Sequence, residues 1–210
     1  FLGSQRDSVR CYNTSGGFLH TPLEQLLVNA AASRARGIGG IKLKVGQPDQ
    51  ALDIKRVEAV RKHLGDHTPL MVDANQQWDR PTAQRMCRIF EQFNLVWIEE
   101  PLDAYDNEGH AALAAQFDTP IATGEMLTSA AEHAELIRHR AADYLMPDAP
   151  RVGGITPFLR IAAQAENAGL ALGPHFAMEL HVHLGAVYAT EPWVEHFDWL
   201  EPLFNERLEI

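Results

Sequence analysis

Short apolar runs alternate with longer amphipathic stretches along the whole chain. Eight runs are typical of buried strands, and they cover residues 9–12, 40–45, 69–73, 95–99, 120–124, 143–146, 170–173 and 193–200. Seven stretches with helical spacing lie between them, at residues 22–36, 51–64, 81–93, 108–117, 129–139, 156–168 and 179–189. Short strands that alternate with helices of about 10–15 residues indicate βαβ units and a parallel sheet.

Two parallel architectures fit this alternation. Eight strands with seven helices can close into a barrel, although such barrels typically have about 250 residues and this chain has 210. The alternative is a doubly wound open sheet, which carries a glycine-rich phosphate-binding turn after its first strand. The Ser15-Gly16-Gly17 turn is too short for that fingerprint.

Composition limits the class of protein. The chain is 46% hydrophobic and 22% charged, which suits one soluble domain and excludes a disordered chain or a coiled coil. Its 18 Lys and Arg residues against 28 Asp and Glu residues give a net charge of −10. That balance argues against nucleic-acid binding. An anionic ligand would therefore need a local cluster of cations or a metal ion.

Cysteines and apolar stretches bear on the compartment. Cys11 and Cys87 match no metal-binding spacing, so we expect two free thiols in a reducing environment. No apolar stretch reaches the length of a membrane span, and we find no signal peptide. These features predict a cytoplasmic protein without a membrane partner.

Ionisable residues stand where the predicted strands end. Taking one from each of seven strands gives residues separated by 29, 26, 26, 23, 27 and 20 positions, about one βα unit each: Lys44, Asp73, Glu99, Glu125, Asp148, His175 and Glu195. In a barrel these carboxyl ends converge on one mouth. So many ionisable groups in one cavity would be costly unless they bind a metal or perform chemistry.

Asp73, Glu99 and Glu125 come from three consecutive strands at nearly equal spacing. Three carboxylates on one side of a mouth predict a Mg²⁺-type site, whereas a zinc site would use His or Cys. Any one of these acids alone could be a solvated strand end or a helix N-cap. The equal spacing of all three favours the metal site.

Lys42 and Lys44 lie two residues apart, on the same face of a predicted strand. Close like charges lower each other's pKa, so one of these lysines could act as a base. The alternative is a pair of exposed lysines on an edge strand, which a strand buried on both faces does not offer.

Asp148 and His175 end neighbouring predicted strands. A carboxylate that accepts from one ring nitrogen fixes the tautomer and raises the basicity of the other nitrogen. A lone histidine is more often structural, but this one follows Gly-Pro at a strand end. By contrast, His181 and His183 cannot share a helix face, so they are not counted as a metal site.

Six motifs in this order resemble the enolase superfamily, mandelate racemase subgroup, from about residue 21 to the end. They are Lys42-Leu43-Lys44, Val72-Asp73-Ala74-Asn75, Glu99-Glu100-Pro101, Gly124-Glu125-Met126, Asp148 followed by Gly153-Gly154-Ile155-Thr156, and Gly173-Pro174-His175. Members similar to muconate cycloisomerase carry a lysine at the sixth strand. Asp148 at that place moves this chain toward the racemases and acid-sugar dehydratases.

The resemblance implies a modified TIM barrel of the (β/α)₇β type, an α/β fold. It implies Mg²⁺ bound by three carboxylates, those of Asp73, Glu99 and Glu125. It also implies that Lys44 and His175 are the acid/base pair, acting on opposite faces of the substrate, with Asp148 as the partner of His175.

Further residues receive roles from the same resemblance. Lys42 would hold the substrate carboxylate and lower the pKa of Lys44. Glu195 would hydrogen-bond the ene-diolate oxygen opposite the metal. Asn75 would contact the substrate or a group next to it.

The implied reaction begins with removal of the proton alpha to a carboxylate. Loss of a beta-hydroxyl as water then gives a 2-keto-3-deoxy acid. Residues 175–184, 191–197 and 199–207 resemble the branch of the family that acts on aldarates such as L-talarate or galactarate. The alternatives are a racemase or epimerase of a 2-hydroxy acid, a dehydratase of another acid sugar, and a barrel that only binds its ligand.

Full members of this family also have an N-terminal α+β capping domain and a C-terminal segment that returns to the barrel. Neither is found in these 210 residues. We therefore expect residues 1–210 to form a single barrel domain that is part of a longer polypeptide. We also expect a small-molecule carboxylate as substrate and a homo-oligomer as the assembly.

Overall fold

Eight parallel strands form one sheet that curls into a barrel. The computed structural model describes residues 2–14 and 16–210, so Ser15 of the short glycine turn lies outside the described residues. The strands are β1 (Arg10–Asn13), β2 (Gly40–Lys44), β3 (Leu70–Asp73), β4 (Ile98–Glu99), β5 (Ile121–Thr123), β6 (Tyr144–Leu145), β7 (Ala171–Leu172) and β8 (Trp193–His196).

The strand order is β7-β6-β5-β4-β3-β2-β1-β8, and every pairing is parallel. Within the described ranges no backbone ladder joins β7 to β8, so the barrel is closed everywhere except at this seam. This arrangement confirms the predicted (β/α)₇β barrel and excludes the open doubly wound sheet.

Seven α-helices connect the strands around the outside of the barrel. They are α1 (Leu23–Ala35), α2 (Gln50–Leu64), α3 (Arg80–Phe90), α4 (Asn107–Gln116), α5 (Ala130–Arg138), α6 (Ile155–Asn167) and α7 (Met178–Gly185). The predicted third helix is shorter than expected because its last turn, Glu91–Phe93, tightens into a 3₁₀ helix. The predicted eighth strand stops at His196, since Leu200 N–H donates to the Phe197 carbonyl and turns the chain.

Side-chain caps fix where several helices begin. Asp79, Asp106 and Ser129 each accept a hydrogen bond from a backbone N–H in the first turn of α3, α4 and α5. Such caps satisfy amides that the helix itself leaves unpaired. They therefore set the length of each loop between a strand end at the mouth and the helix that follows it.

Large apolar side chains fill the barrel interior below its mouth. Met71 lies two residues before Asp73, and Trp97 lies two residues before Glu99, so each apolar residue faces the same way one layer deeper. Trp97 is fully buried, with its ring centroid 5.3 Å from that of Tyr12 and 4.9 Å from that of Tyr144. This floor leaves the polar strand ends as the lining of the open end.

Two further expectations from the sequence can be compared with the fold. Cys11 and Cys87 are both free, as predicted, and Cys87 is buried. None of the helices in the described ranges has both the length and the apolar composition needed to cross a membrane.

Candidate active site

Strand register places the charged residues side by side across the sheet. Lys44 on β2 pairs with Asp73 on β3, and Asp73 pairs with Glu99 on β4. Glu125 follows β5 after Gly124, whose φ of 127° lies in the region that favours glycine. This turn brings Glu125 to the same cluster as Asp73 and Glu99.

Asp73, Glu99 and Glu125 each offer a carboxylate oxygen, and these oxygens lie within 4.8 Å of one another. All three residues are buried. Burial raises the pKa of Glu99, and the neighbouring Asp73 carboxylate raises it further. Three buried, mutually repelling carboxylates form an all-oxygen donor set, which fits a hard cation such as Mg²⁺.

Lys42 lies at the centre of the acidic groups. Its Nζ is 2.8 and 2.9 Å from the two oxygens of Glu99, 2.8 Å from Glu195 Oε1 and 3.4 Å from Asp73 Oδ2. Burial lowers the pKa of Lys42, but the charges of Glu195 and Glu99 outweigh burial and raise it overall. Lys42 is therefore a buried ammonium group that joins β2, β4 and β8.

Lys44 donates a hydrogen bond to Asp73 Oδ2. Burial lowers the pKa of Lys44, the Asp73 carboxylate raises it, and Lys42 lowers it; the net direction is upward. Lys42 thus lowers the pKa of Lys44 as expected, but the Asp73 carboxylate reverses the net direction. The reason is that Lys44 donates directly to Asp73, while Lys42 lies 2.8 Å from both Glu99 and Glu195.

His175 lies between two acids after β7. Its Nδ1 is 3.0 Å from Asp148 Oδ2, and its Nε2 is 3.5 Å from Glu125 Oε2. Burial lowers the pKa of His175, but the Asp148 hydrogen bond and the Glu125 charge raise it overall. The backbone N–H of Arg151 donates to the other Asp148 oxygen at 3.0 Å, so both oxygens of that carboxylate are held.

Glu195 on β8 is fully buried and has three partners. Besides Lys42, it accepts from Thr14 Oγ1 at 2.7 Å and from the Phe176 backbone N–H at 3.1 Å. Burial raises the pKa of Glu195, but the charge of Lys42 lowers it overall. Glu195 is thus an ionised carboxylate that connects the ends of β1, β2 and β7.

These groups open on one cavity of about 570 Å³ at the mouth of the barrel. Six of the predicted site residues line it: Lys44, Asn75, Glu125, Asp148, His175 and Glu195. Asn75 has a φ of 43°, and its backbone N–H donates to Asp73 Oδ1 at 2.9 Å. Lys42, Asp73 and Glu99 lie beneath this lining. The structure therefore brings every predicted site residue to one place.

Three residues of this region were not among the predicted site residues. Thr14 and Arg151 line the cavity from loops, where no periodic pattern marks a position. Glu100 follows Glu99, but strict alternation along a strand would turn it away from the site. Its φ of 38° changes that direction, and burial together with the Glu125 charge raises its pKa to about 8. The Glu99-Glu100 doublet was the sequence signal that could have identified Glu100 as a residue of this region.

The fold and the site together define an α/β barrel that gathers three carboxylates, a lysine and a histidine at its mouth. Known proteins place the chain more narrowly. Residues 25–210 match the family model described as "Enolase C-terminal domain-like". The chain belongs to this family, which confirms the resemblance seen in its motifs.

Several relatives are similar over the whole chain. The L-talarate/galactarate dehydratase of Salmonella typhimurium is 69% identical over 209 residues, which cover 100% of this chain and 52% of the relative. The crystal structure of L-talarate dehydratase from Polaromonas sp. JS666, complexed with Mg and L-glucarate, is 86% identical. It superposes with a TM-score of 0.97 over 100% of this chain and 58% of that one.

A more distant relative is named as a racemase instead of a dehydratase. The N-succinyl-L-Arg/Lys racemase of Bacillus cereus is 34% identical over 148 residues, or 70% of this chain and 40% of the relative. This chain thus spans about half the length of the relatives it matches.

The contacts of Lys42 predict a large effect on stability. Lys42→Met removes the ammonium group and leaves the carboxylates of Glu99 and Glu195 buried without it. Removing one partner of a buried ion pair costs about 3–5 kcal/mol, so we expect the free energy of unfolding in urea to fall by that amount. Lys62→Met, at an exposed position of α2, is the matched control and should change it little. Equal effects of the two substitutions would show that Lys42 is not needed to hold the acids together.

Proposed function

We propose that the chain is the barrel of a Mg²⁺-dependent aldarate dehydratase, a hydro-lyase that forms a 2-keto-3-deoxy acid. The observation that carries this proposal is the juxtaposition, on one cavity, of the oxygen-only cluster Asp73, Glu99 and Glu125 with Lys44 and with His175. The high identity to an L-talarate/galactarate dehydratase supports an aldarate such as L-talarate or galactarate as the substrate.

Asp73, Glu99 and Glu125 would hold the metal ion. When bound, Mg²⁺ would supply positive charge for the enolised carboxylate, and sharing the Asp73 carboxylate with it would weaken the ion pair between Asp73 and Lys44. Lys42 holds the carboxylates of Glu99 and Glu195 in place and adds its own positive charge next to the substrate carboxylate. These groups are fixed before the substrate arrives, which is what stabilisation of a developing charge requires.

Lys44 and His175 would move the protons. The ion pair with Asp73 raises the pKa of Lys44, so Lys44 would become an uncharged base only when that ion pair is weakened. Uncharged Lys44 takes the proton from the carbon next to the carboxylate, and the electrons of that C–H bond form a C=C bond to the carboxylate carbon. The imidazolium of His175, which Asp148 stabilises, gives its Nε2 proton to the beta-hydroxyl. The electrons then move to join the alpha and beta carbons as the C–O bond breaks and water leaves, and the resulting enol tautomerises to the 2-keto-3-deoxy acid.

Glu195 and Asn75 would orient the substrate. Glu195 is held by Lys42, Thr14 and the Phe176 backbone, so its position does not depend on the ligand. Asn75 faces the same cavity from the loop after β3. Asn75 would donate to a substrate oxygen, whereas the ionised Glu195 would accept from a substrate hydroxyl, because it has no proton to give to the enolised carboxylate.

Arg151 gives a reason for preferring a diacid. An aldarate has a second carboxylate at the far end of its carbon chain, and that group needs a cation. Arg151 lines the cavity, its side chain is 41% exposed, and its Nε lies 4.0 Å from Asp148 Oδ2. The other cations at the cavity, Lys44 and His175, have closer acidic partners. Arg151 is therefore free to turn toward a distal carboxylate.

A racemase or epimerase is the second candidate. Lys44 and His175 come from different strands, so each can give a proton to or take one from the same carbon. When no beta-hydroxyl lies within reach of His175, return of a proton from the other side inverts the centre. The racemase relative from Bacillus cereus supports this reading.

We also propose that residues 1–210 are the barrel domain of a longer, cytoplasmic, homo-oligomeric protein. The chain spans 52% and 58% of two relatives' lengths, which supports the first part. Location and assembly rest on the sequence predictions alone.

The reaction can be tested by proton NMR in D₂O with Mg²⁺, galactarate, L-talarate and the monoacid galactonate. We expect an aldarate to disappear and a keto-deoxy acid to form. Lys44→Ala and His175→Asn should each lower the rate by about 10²–10⁴-fold, because each removes a proton-transfer group. Lys62→Ala and His63→Asn, at exposed positions of α2, are the matched controls.

Other results of that experiment are equally informative. Deuterium uptake at the alpha carbon without dehydration would replace the dehydratase by the racemase or epimerase. Full activity of both Lys44→Ala and His175→Asn would overturn the assigned roles. If Mg²⁺ binds but neither dehydration nor exchange is observed, the remaining interpretation is a barrel that only binds its ligand.

Metal binding has a readout that needs no turnover. Mg²⁺ at a hundredfold excess over its Kd should stabilise the folded protein by about 2.7 kcal/mol, measured by thermal or urea unfolding. Glu125→Gln removes one ligand charge and should abolish most of this gain. Glu58→Gln, an exposed substitution on α2, should retain it. Equal stabilisation of both variants would place the ion elsewhere.

Arg151→Met tests the diacid preference. A hydrogen bond to a charged group contributes about 1.5–3 kcal/mol, so KM for the aldarate should rise by about 10- to 100-fold. Arg151→Lys keeps the charge, so it should raise KM for the aldarate by less than Arg151→Met does. The inhibition constant of galactonate, which has no second carboxylate, should not change. If Arg151→Met weakens both compounds equally, Arg151 does not bind the distal carboxylate.

A further inference from the structure

Three α-helices carry a buried histidine in the same position, four residues after the N-cap. They are His110 after Asp106 in α4, His133 after Ser129 in α5, and His181 after Ala177 in α7. All three rings are fully buried. The ring of His133 lies against the backbone at Gly124, next to Glu125. Among the described residues, only one of the three rings hydrogen-bonds to the backbone of the segment that carries Asp148.

That ring is His181. Its Nε2 accepts a hydrogen bond from the backbone N–H of Ala149 at 3.1 Å. Ala149 is itself fully buried, so this N–H has no access to solvent. Each of the three rings also has one nitrogen that is buried without a close hydrogen bond among the described residues: Nε2 of His110, Nε2 of His133, which lies against Gly124, and Nδ1 of His181.

The His181 ring is fixed in orientation and in charge state. Burial lowers its pKa to about 4, so the ring is neutral at physiological pH. Because Nε2 accepts from Ala149, the ring proton is on Nδ1. The ring also stacks on Phe158 of α6, with centroids 5.5 Å apart and planes inclined by 26°. The neutral ring, stacked on Phe158, gives the Ala149 amide one fixed acceptor, while its Nδ1 is buried without a hydrogen-bonding partner among the described residues.

Three hydrogen bonds connect the segment after β6 with the segment after β7. The His175 N–H donates to the Pro147 carbonyl at 3.2 Å, and His175 Nδ1 lies 3.0 Å from Asp148 Oδ2. The Ala149–His181 bond is the third. The first two involve His175 itself, whereas the third holds the N–H side of the Asp148–Ala149 peptide from outside the pair. The carbonyl side of the same peptide accepts from the Val152 N–H at 3.0 Å.

We propose that His181 is a positioning residue for the Asp148–His175 pair. By holding the Ala149 N–H, it fixes the peptide plane beside Asp148 and thereby the direction of the carboxylate toward His175 Nδ1. This inference rests on the proposed function, in which His175 transfers a proton. Without the acceptor, the buried Ala149 N–H would be unsatisfied, which costs about 1–3 kcal/mol. The peptide would then be held only at its carbonyl, by the Val152 N–H, and its plane would tilt.

Four substitutions separate positioning from simple core filling. His181→Gln can place an amide oxygen where Nε2 lies, so it keeps the acceptor. His181→Asn is shorter and does not reach, and His181→Leu has no acceptor. His110→Leu is the matched control, because it empties an equally buried helical position whose ring bonds only to its own helix, at the Asp106 carbonyl.

The first readout is the proton NMR signal of His175 Nδ1–H, which a carboxylate partner shifts to low field and protects from exchange. Its loss in His175→Asn assigns it. We expect the signal to be present in the unsubstituted protein and to persist in His181→Gln and His110→Leu. In His181→Asn and His181→Leu we expect it to be lost or to exchange rapidly. This readout needs neither substrate nor turnover.

The second readout is steady-state kinetics on the aldarate. We expect kcat to fall by about tenfold or more in His181→Asn and His181→Leu, since small misplacements of a reacting group have effects of this size. KM should not change, and His181→Gln should restore kcat. His110→Leu should lower only the free energy of unfolding.

The outcomes are distinguishable. If His181→Asn and His181→Leu keep both the signal and kcat, His181 only fills the core and the inference is wrong. If His181→Leu does not fold, the comparison of His181→Asn with His181→Gln still decides. If the unsubstituted protein has no aldarate activity, the proposed function fails, while the NMR comparison still tests whether His181 holds the pair.

Discussion

The arrangement of this site depends on one buried ammonium group. Lys42 lies within hydrogen-bonding distance of Glu99 and Glu195, at 2.8 Å from each, and within 3.4 Å of Asp73. Burying three carboxylates together would be prohibitive without a cation. Lys42 supplies one positive charge permanently, and the remaining negative charge is what makes the cluster attractive to a metal ion.

The same balance explains the behaviour of Lys44. The pKa of Lys44 is raised because Asp73 is its nearest charged neighbour, although Lys42 lies on the same face of the strand. The spacing of the two lysines in the sequence indicated that they share one face of the strand, but not which carboxylate each of them contacts. The basicity of Lys44 is therefore set by the state of Asp73, and any group that binds Asp73 also changes Lys44.

The fold and most of the site could be predicted from the sequence for a geometric reason. In a parallel barrel all strands end at one mouth, so one ionisable residue per strand end is sufficient to gather Lys44, Asp73, Glu99, Glu125, Asp148, His175 and Glu195. Lys42 and Asn75 lie outside this rule and were predicted from the family motifs, whereas three other residues received no role. Arg151 lies in a loop, Glu100 depends on a left-handed turn, and His181 acts through a backbone amide, which no sequence pattern records.

The seam between β7 and β8 separates two parts of the mouth, and the backbone holds these parts together differently. The carboxylate cluster lies on β3 to β5, where the ladder is continuous, whereas His175 and Glu195 lie on opposite sides of the missing ladder. The Phe176 N–H bond to Glu195 bridges this gap with a single side chain. Substitutions at the seam therefore reach His175 directly, and they reach the carboxylate cluster only through the His175–Glu125 contact and the Glu195–Lys42 ion pair. In such a barrel the histidine can be repositioned by changes at the seam while the strands that carry the carboxylates keep their pairing.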